Sequence, residues 1–294
     1  MRIATPARVV RDAQTGVRRS ALRRDLHAVV SGKSGAVALD LDNTHLDVAS
    51  VIEEFTFRKS MQSAPVQRLV VALKKNGAAD GVVERLAAKS PQQRVQSARI
   101  VGALRMYEAV PWVAQLLDSR DRSVSDAAAR ALGRIGGTGS ARALIKAISR
   151  KGLNRRLVAE LARAAPDLLV ESALAEPQPQ SVRPALAIAA GLRRRRAAVG
   201  PLIALLENGS RRERVISCRA LGWIGARNAV PIIAAALQDR DWKIRMSAVK
   251  ALGALRARTV KDDLRYLQID RNARVRKAAN MALTRLNRGN AHGA

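Results

Sequence analysis

The sequence predicts an all-α protein, a right-handed α-solenoid built of stacked antiparallel helix pairs. Three observations lead there. A Leu-Gly or related small-residue step recurs every 31 residues, apolar residues recur at three- and four-residue spacing between the steps, and aromatics make up only 2% of the chain. Apolar residues at that spacing give each helix one face to bury. A fixed short period buries those faces by stacking neighbour on neighbour. With 48% hydrophobic residues the core can be sizeable, and with so few aromatics it must consist of Ala, Leu, Val and Ile.

The register is read from Leu221-Gly222, which steps forward to Leu252-Gly253 and Leu283 and back to Ala190-Gly191. Upstream, Val101-Gly102 and Leu132-Gly133 stand the same distance apart. The longer gap from Leu132 to Ala190 holds one shortened repeat, about 153–176. Each unit opens with a helix of the type "IRMSAVKALG" (244–253), turns, and continues into a second helix such as "AVPIIAAAL" (229–237). An acidic loop follows, "DSRD" at 118–121 or "DRD" at 239–241. The organisation expected is a basic extension with an irregular acidic segment over 1–63, the solenoid over 64–287, and a flexible tail over 288–294. Within the solenoid, 64–90 is a divergent first pair and 273–287 a terminal helix. In the extension, helices are predicted near 17–30 and 48–60. "EPQPQ" (176–180) interrupts the array and predicts a local bend.

This pattern resembles the HEAT-repeat family, specifically the short bacterial type first named from phycobilisome lyases, over residues 90–287 and more weakly over 64–90. The resemblance implies the fold and says little of function, because such arrays host unrelated activities. It also implies a structural role for Arg94, Arg183, Arg214, Arg245 and Arg276, which recur in register with Ser125 breaking the series. In the family such an arginine bonds the acidic loop of a neighbouring repeat, here Asp118, Asp239 or Asp241.

The net charge of +29 favours an acidic partner. Arg outnumbers Lys by 42 to 11, a skew that codon usage alone also produces. Arg105, Arg134, Arg193, Arg194, Arg195, Arg196, Arg227, Arg256 and Arg258 fall at the turns between paired helices, so they are expected to form a basic ridge along one edge. An inner groove lined by second helices is expected to offer Trp112, Lys146, Lys261 and Arg265 to a protein partner. No aromatic platform for bases accompanies the turn arginines, which argues against single-strand recognition.

One segment invites an enzymatic reading. In "GAVALDLDNTHLD" (35–47), Asp40, Asp42 and Thr44 resemble the nucleophile loop of haloacid-dehalogenase-type phosphotransferases. That chemistry requires a doubly wound sheet around the loop, and the helical array that follows leaves no sequence to build one. The HEAT-like deoxyhypusine hydroxylases hold two irons through His-Glu pairs, and this chain has none. HEAT-like alkylpurine glycosylases use tryptophans and an Asp, for which Trp112, Trp223, Trp242, Asp239 and Asp241 are the only candidates. Core packing explains Trp242, which follows the acidic loop, and helix capping explains Asp241. Bilin lyases share the repeat type without a short motif to map.

His27, His45 and His292 are scattered, and Cys218 is read as a core thiol, so neither a metal nor a cofactor is expected. No apolar run is long enough to span a bilayer. The function expected is therefore a non-catalytic, cytoplasmic scaffold for a protein with an acidic surface. A nucleic-acid-binding solenoid is the alternative, glycosylase-like or not. A bilin-lyase-like protein, or a peripheral adaptor docking residues 1–28 on an anionic membrane, is the minor one.

Overall fold

The computed structural model describes residues 6–34, 48–57 and 63–288. Among these are seventeen α-helices and no strand, an all-α helical-repeat architecture of the solenoid type. The phosphotransferase-like segment with Asp40, Asp42, Thr44 and His45, and the tail with His292, lie outside the described residues.

The chain divides into two units, residues 1–143 and 144–294. In the first, α1 (Pro6–Val30) and α2 (Val48–Thr56) precede α3 (Ala64–Lys75), α4 (Ala78–Glu84), α5 (Pro91–Ala103), α6 (Val110–Leu116) and α7 (Arg122–Ile135). The unit boundary falls within α8 (Gly137–Lys151). The second unit continues with α9 (Arg155–Ala164), α10 (Asp167–Ala175), α11 (Val182–Leu192), α12 (Val199–Asn208), α13 (Arg211–Ile224), α14 (Val230–Ala235), α15 (Trp242–Leu255), α16 (Lys261–Tyr266) and α17 (Ala273–Arg288). Two expected boundaries move: α1 begins at Pro6 rather than near residue 17, and α2 ends at Thr56 rather than near 60.

Local chemistry starts and stops these helices. Asp121, Asn154 and Asp241 cap α7, α9 and α15 by accepting backbone N–H bonds in the first turn, and Ser210 and Glu213 form a reciprocal capping box on α13. A proline in the first turn of α3, α5, α6 and α14 costs nothing, since that turn has no intrahelical use for its N–H. The first helix of a pair ends where the chain takes a positive φ, at Arg105, Gly136, Arg194, Gly225 and Arg256, all one position of the repeat.

The Leu-Gly register has a packing cause. In the first unit a Cβ on Gly102 would stand 2.7 Å from the Ala131 Cα. In the second, a Cβ on Gly191 would stand 3.1 Å from Ala220, one on Gly222 3.0 Å from Ala251 and one on Gly253 2.9 Å from Ala282. First helices therefore cross backbone to backbone, and the apolar residue before each of these glycines, Val101, Ala190, Leu221 and Leu252, is fully buried. Consecutive second helices touch much less than consecutive first helices, so the first-helix layer is the tighter of the two. Replacing Gly102 by Val must push α5 off α7. Overpacking of this kind costs about 1–3 kcal/mol, which urea unfolding will show as a lower midpoint at unchanged slope.

Candidate binding site

The in-register arginines of the second unit form a ladder between loops. Arg214 donates through Nε to the Leu206 carbonyl (2.9 Å) and through Nη2 to Asp239 (2.6 Å). Arg245 donates to the Asp239 carbonyl (2.7 Å) and grips Asp270 with two parallel bonds of 2.8 and 2.9 Å. Arg183 reaches the Glu176 carbonyl and pairs with Glu213 at 3.6 Å, while Arg276 donates to the Asp270 carbonyl. In the first unit Arg94 does less, since its Nε is buried without a hydrogen bond. Ser125, which breaks the series, keeps one function: its hydroxyl donates to the Leu117 carbonyl, the register counterpart of Leu206. Asp270 and Glu213 are ladder carboxylates that the sequence did not single out. Asp241 serves elsewhere, capping α15 and pairing with Arg211.

The expected arginine edge is altered at two places. Arg195 is turned inward and buried, where Ala226 and Ala257 stand in later repeats. Its Nη2 donates to the carbonyls of Ala162 and Ala165 at the end of the shortened helix α9, and its Nη1 lies 3.2 Å from Asp167 as an ion pair without hydrogen-bond alignment. Burial holds this guanidinium below the usual arginine value, with Asp167 opposing. The short α9 leaves its C-terminal carbonyls unpaired, and a guanidinium reaches them where an alanine cannot. Arg134 is not a turn residue but part of the last turn of α7, and it pairs with Glu53. In the second unit Arg193, Arg194, Arg196, Arg227, Arg256 and Arg258 are exposed, as is Arg105 in the first.

Three of these edge arginines sit in a conformation that suits glycine. Arg105, Arg194 and Arg256 have φ of 48°, 51° and 51°, where Gly225 stands in the same register at 83°. A side chain in the left-handed region costs about 1–2 kcal/mol.

The expected groove residues do not gather. Trp112 belongs to α6 in the first unit, and in the second Lys146 on α8 is separated by three helix pairs from Lys261 and Arg265 on α16. Arg265 is bound to Asp262 on its own helix (2.7 Å). A hollow of about 420 Å³ does lie on second helices, between α10 and α12, but Arg183 is the one charged residue lining it.

A better-furnished groove, about 480 Å³, lies on the first-helix layer of the second unit, across α13, α15 and α17. It is lined by Trp223, Trp242, Arg219, Lys243, Lys250 and Arg274, with Met246 and Ala254 between them and no carboxylate. Trp223 lies over Gly191, whose missing side chain makes room for the ring, and remains 38% exposed. Arg219 stacks over Trp223 at 5.2 Å, while Lys243 and Arg274 flank Trp242 at 5.7 and 5.2 Å. Arg219, Lys250 and Arg274 have no described carboxylate partner, whereas Lys243 lies close enough to Asp241 to help hold that carboxyl below its ordinary value. Reading Trp242 as core packing is thus corrected, since its ring edge is part of this groove. Positions from three before to nine after the ladder arginine supply the lining, a pattern visible only once it is known which side of the helix faces solvent. Cys218, on the opposite face of α13, is buried, and burial pushes its thiol up to about 12, so it is no nucleophile at neutral pH.

A family model described as HEAT repeats matches residues 79–164 and 201–284, more than half of the chain. The chain belongs to the HEAT-repeat family. Among solved structures, this HEAT-repeat protein is similar to human deoxyhypusine hydroxylase in complex with glycerol, at 20% identity over 82% of this chain and 96% of that one, with a TM-score of 0.38. YibA of Escherichia coli matches at 12% identity over 98% and 99% of the two chains, with a TM-score of 0.40. Kap121p matches at 13% identity over 81% of this chain and 32% of that one, with a TM-score of 0.41. A search of curated protein sequences finds no match. Among the described residues no helix is long and apolar enough to cross a membrane.

Two measurements probe this arrangement. Arg245 and Asp270 are 6% and 5% exposed, and removing one partner of such a buried pair costs about 3–5 kcal/mol. The bond from Arg245 holds the Asp270 carboxyl below the usual carboxylate range. Its stabilisation is therefore complete above pH ~4 and is lost as pH falls through the depressed value. Asp270→Asn will be markedly less stable than the parent at pH 7, and denaturant titrations will show the gap closing in strong acid. Arg256→Gly relieves the left-handed strain and will raise stability by about 1 kcal/mol, read as a higher unfolding midpoint.

Proposed function

We propose that this HEAT-repeat scaffold is non-catalytic and binds a protein partner through an acidic segment laid in the groove of α13, α15 and α17. The observation that carries this reading is the groove lining: four cations, three of them without a carboxylate partner, and two tryptophan rings with no carboxylate among them. Cations packed on aromatic faces are partly stripped of water, which raises what an incoming carboxylate gains from them. Uncompensated charge of one sign also repels itself, and an acidic ligand relieves that cost. The exposed edge arginines then act at longer range, raising the encounter rate with an acidic surface. Strain at Arg194 and Arg256, where glycine fits without cost, fits a use for the charge itself.

The glycosylase-like alternative loses its acid: Asp239 is held by Arg214, and Asp241 caps α15 and pairs with Arg211. Binding of duplex DNA along the edge is the remaining rival. Poly-glutamate, titrated against the intrinsic tryptophan fluorescence of the full chain, tests the proposal. Arg219→Glu combined with Arg274→Glu is expected to weaken that binding at least about tenfold at an unchanged melting temperature. Tighter binding of duplex DNA at equal salt, with a steep salt slope and dependence on Arg193, Arg194 and Arg196, would overturn it. So would binding only to anionic vesicles.

A further inference from the structure

The first unit contains an occupied version of the surface that stands open in the second. Helix α2 packs against α5 with Val48, Ala49, Val51 and Ile52 buried. Its Glu53 carboxylate is clamped between two first helices, by Arg99 of α5 at 2.6 Å and by Arg134 of α7. Burial pushes the Glu53 carboxyl up, but the two guanidinium groups outweigh it and hold the group below its ordinary value. Glu54, one residue on, turns to Arg23 of α1 at 2.6 Å. The ligand of this clamp is a short amphipathic helix, apolar on one side and glutamate-edged on the other.

The clamp recurs in the repeat register. Arg99 lies five positions after the ladder residue Arg94, and Lys250 lies five after Arg245; Arg134 lies nine after Ser125, and Arg285 nine after Arg276. The helices that carry each pair cross in the same way, Gly102 against Ala131 for α5 and α7, Gly253 against Ala282 for α15 and α17. Lys250 and Arg285 are both exposed and pair with no described carboxylate, and Lys250 also lines the tryptophan groove. Where α2 buries its valines in the first unit, the second leaves Trp223, Met246 and Met281 partly or wholly uncovered.

We infer that the face of α13, α15 and α17 takes an acidic amphipathic α-helix of a partner protein, one glutamate of which enters the Lys250–Arg285 clamp as Glu53 enters that of Arg99 and Arg134. This rests on the proposed function for the face, and adds the conformation of the ligand and the residues that read it. The carboxylate is fixed by two cations from successive helices, while the apolar side of the ligand helix covers the tryptophan and methionine side chains.

The probe is a fluorescein-labelled peptide carrying residues 48–56 between helix-promoting alanine flanks, titrated into the full chain. Binding is expected, and replacing both of its glutamates by Gln, or Lys250→Glu with Arg285→Glu in the protein, should each weaken it at least about tenfold. The two changes together should cost little more than either alone, the mark of a direct contact. Lys250→Gln with Arg285→Gln gives the same ranking with a smaller loss, and circular dichroism verifies that each variant is folded. Unstructured poly-glutamate that binds as tightly as the helix, with the clamp variants unaffected, overturns the helix reading and leaves the acidic-groove proposal standing. Failure of every acidic probe overturns both. Peptide binding abolished instead by Arg99→Glu with Arg134→Glu would mean that the peptide merely replaces α2. A concentration-dependent dimer abolished by the Lys250 and Arg285 changes would assign the face to α2 of a second copy. Either result overturns the assignment to a partner protein.

Discussion

This structure rests on a contact between backbones. Where a glycine of one first helix faces an alanine of the next, the two helices approach until a single added methyl group would meet the neighbouring Cα. Much else follows from that proximity. It permits an aliphatic core with almost no aromatic residues, because short side chains suffice to fill the space between the helices. It sets the repeat register, since a shift by one residue would put a leucine where only a hydrogen fits. It also brings surface positions of successive first helices within reach of one another, so that two side chains on different helices can share one carboxylate, as Arg99 and Arg134 share Glu53.

How much of this was legible in the sequence depended on how local its cause is. The period, the two-helix unit and the arginine recurring in most first helices were readable, because each is a short pattern repeated many times. The partner of Arg214 was readable too, since Asp239 lies in the nearest acidic loop. Asp270 was not, because the loop "QIDRN" differs from the other acidic loops and its importance emerges only from the stacking. Arg195 could not be told from its three neighbours in "RRRR". What distinguishes it is a helix shortened thirty residues earlier in the chain, whose carbonyls need a donor. The tryptophan-lined groove escaped the sequence for a similar reason. Periodicity tells which side of a helix is apolar, but a side carrying Trp223, Arg219 and Ala254 is neither clearly buried nor clearly polar, and only the packed neighbours decide its exposure.

The same register positions serve opposite ends in the two units. A cation five residues beyond the ladder arginine meets an internal glutamate in the first unit and meets solvent in the second. Within each unit the ladder and the glycine contacts hold the scaffold, and neither involves the groove cations, so side chains can change on the groove face without disturbing the register beneath. The contacts that hold the scaffold and the cations that line the groove thus lie on different sides of one helix.

They collide at the turns. At Arg105, Arg194 and Arg256 the fold is served better by glycine than by the residue present. A laboratory selection for heat resistance alone would exchange these arginines for glycine early, since the change is locally tolerated and relieves strain. The resulting proteins would be sturdier, would keep every helix, and would have shed part of their exposed positive charge. Thermal tolerance and positive charge are therefore opposed at these turns: the sturdiest descendants would also be the least basic there.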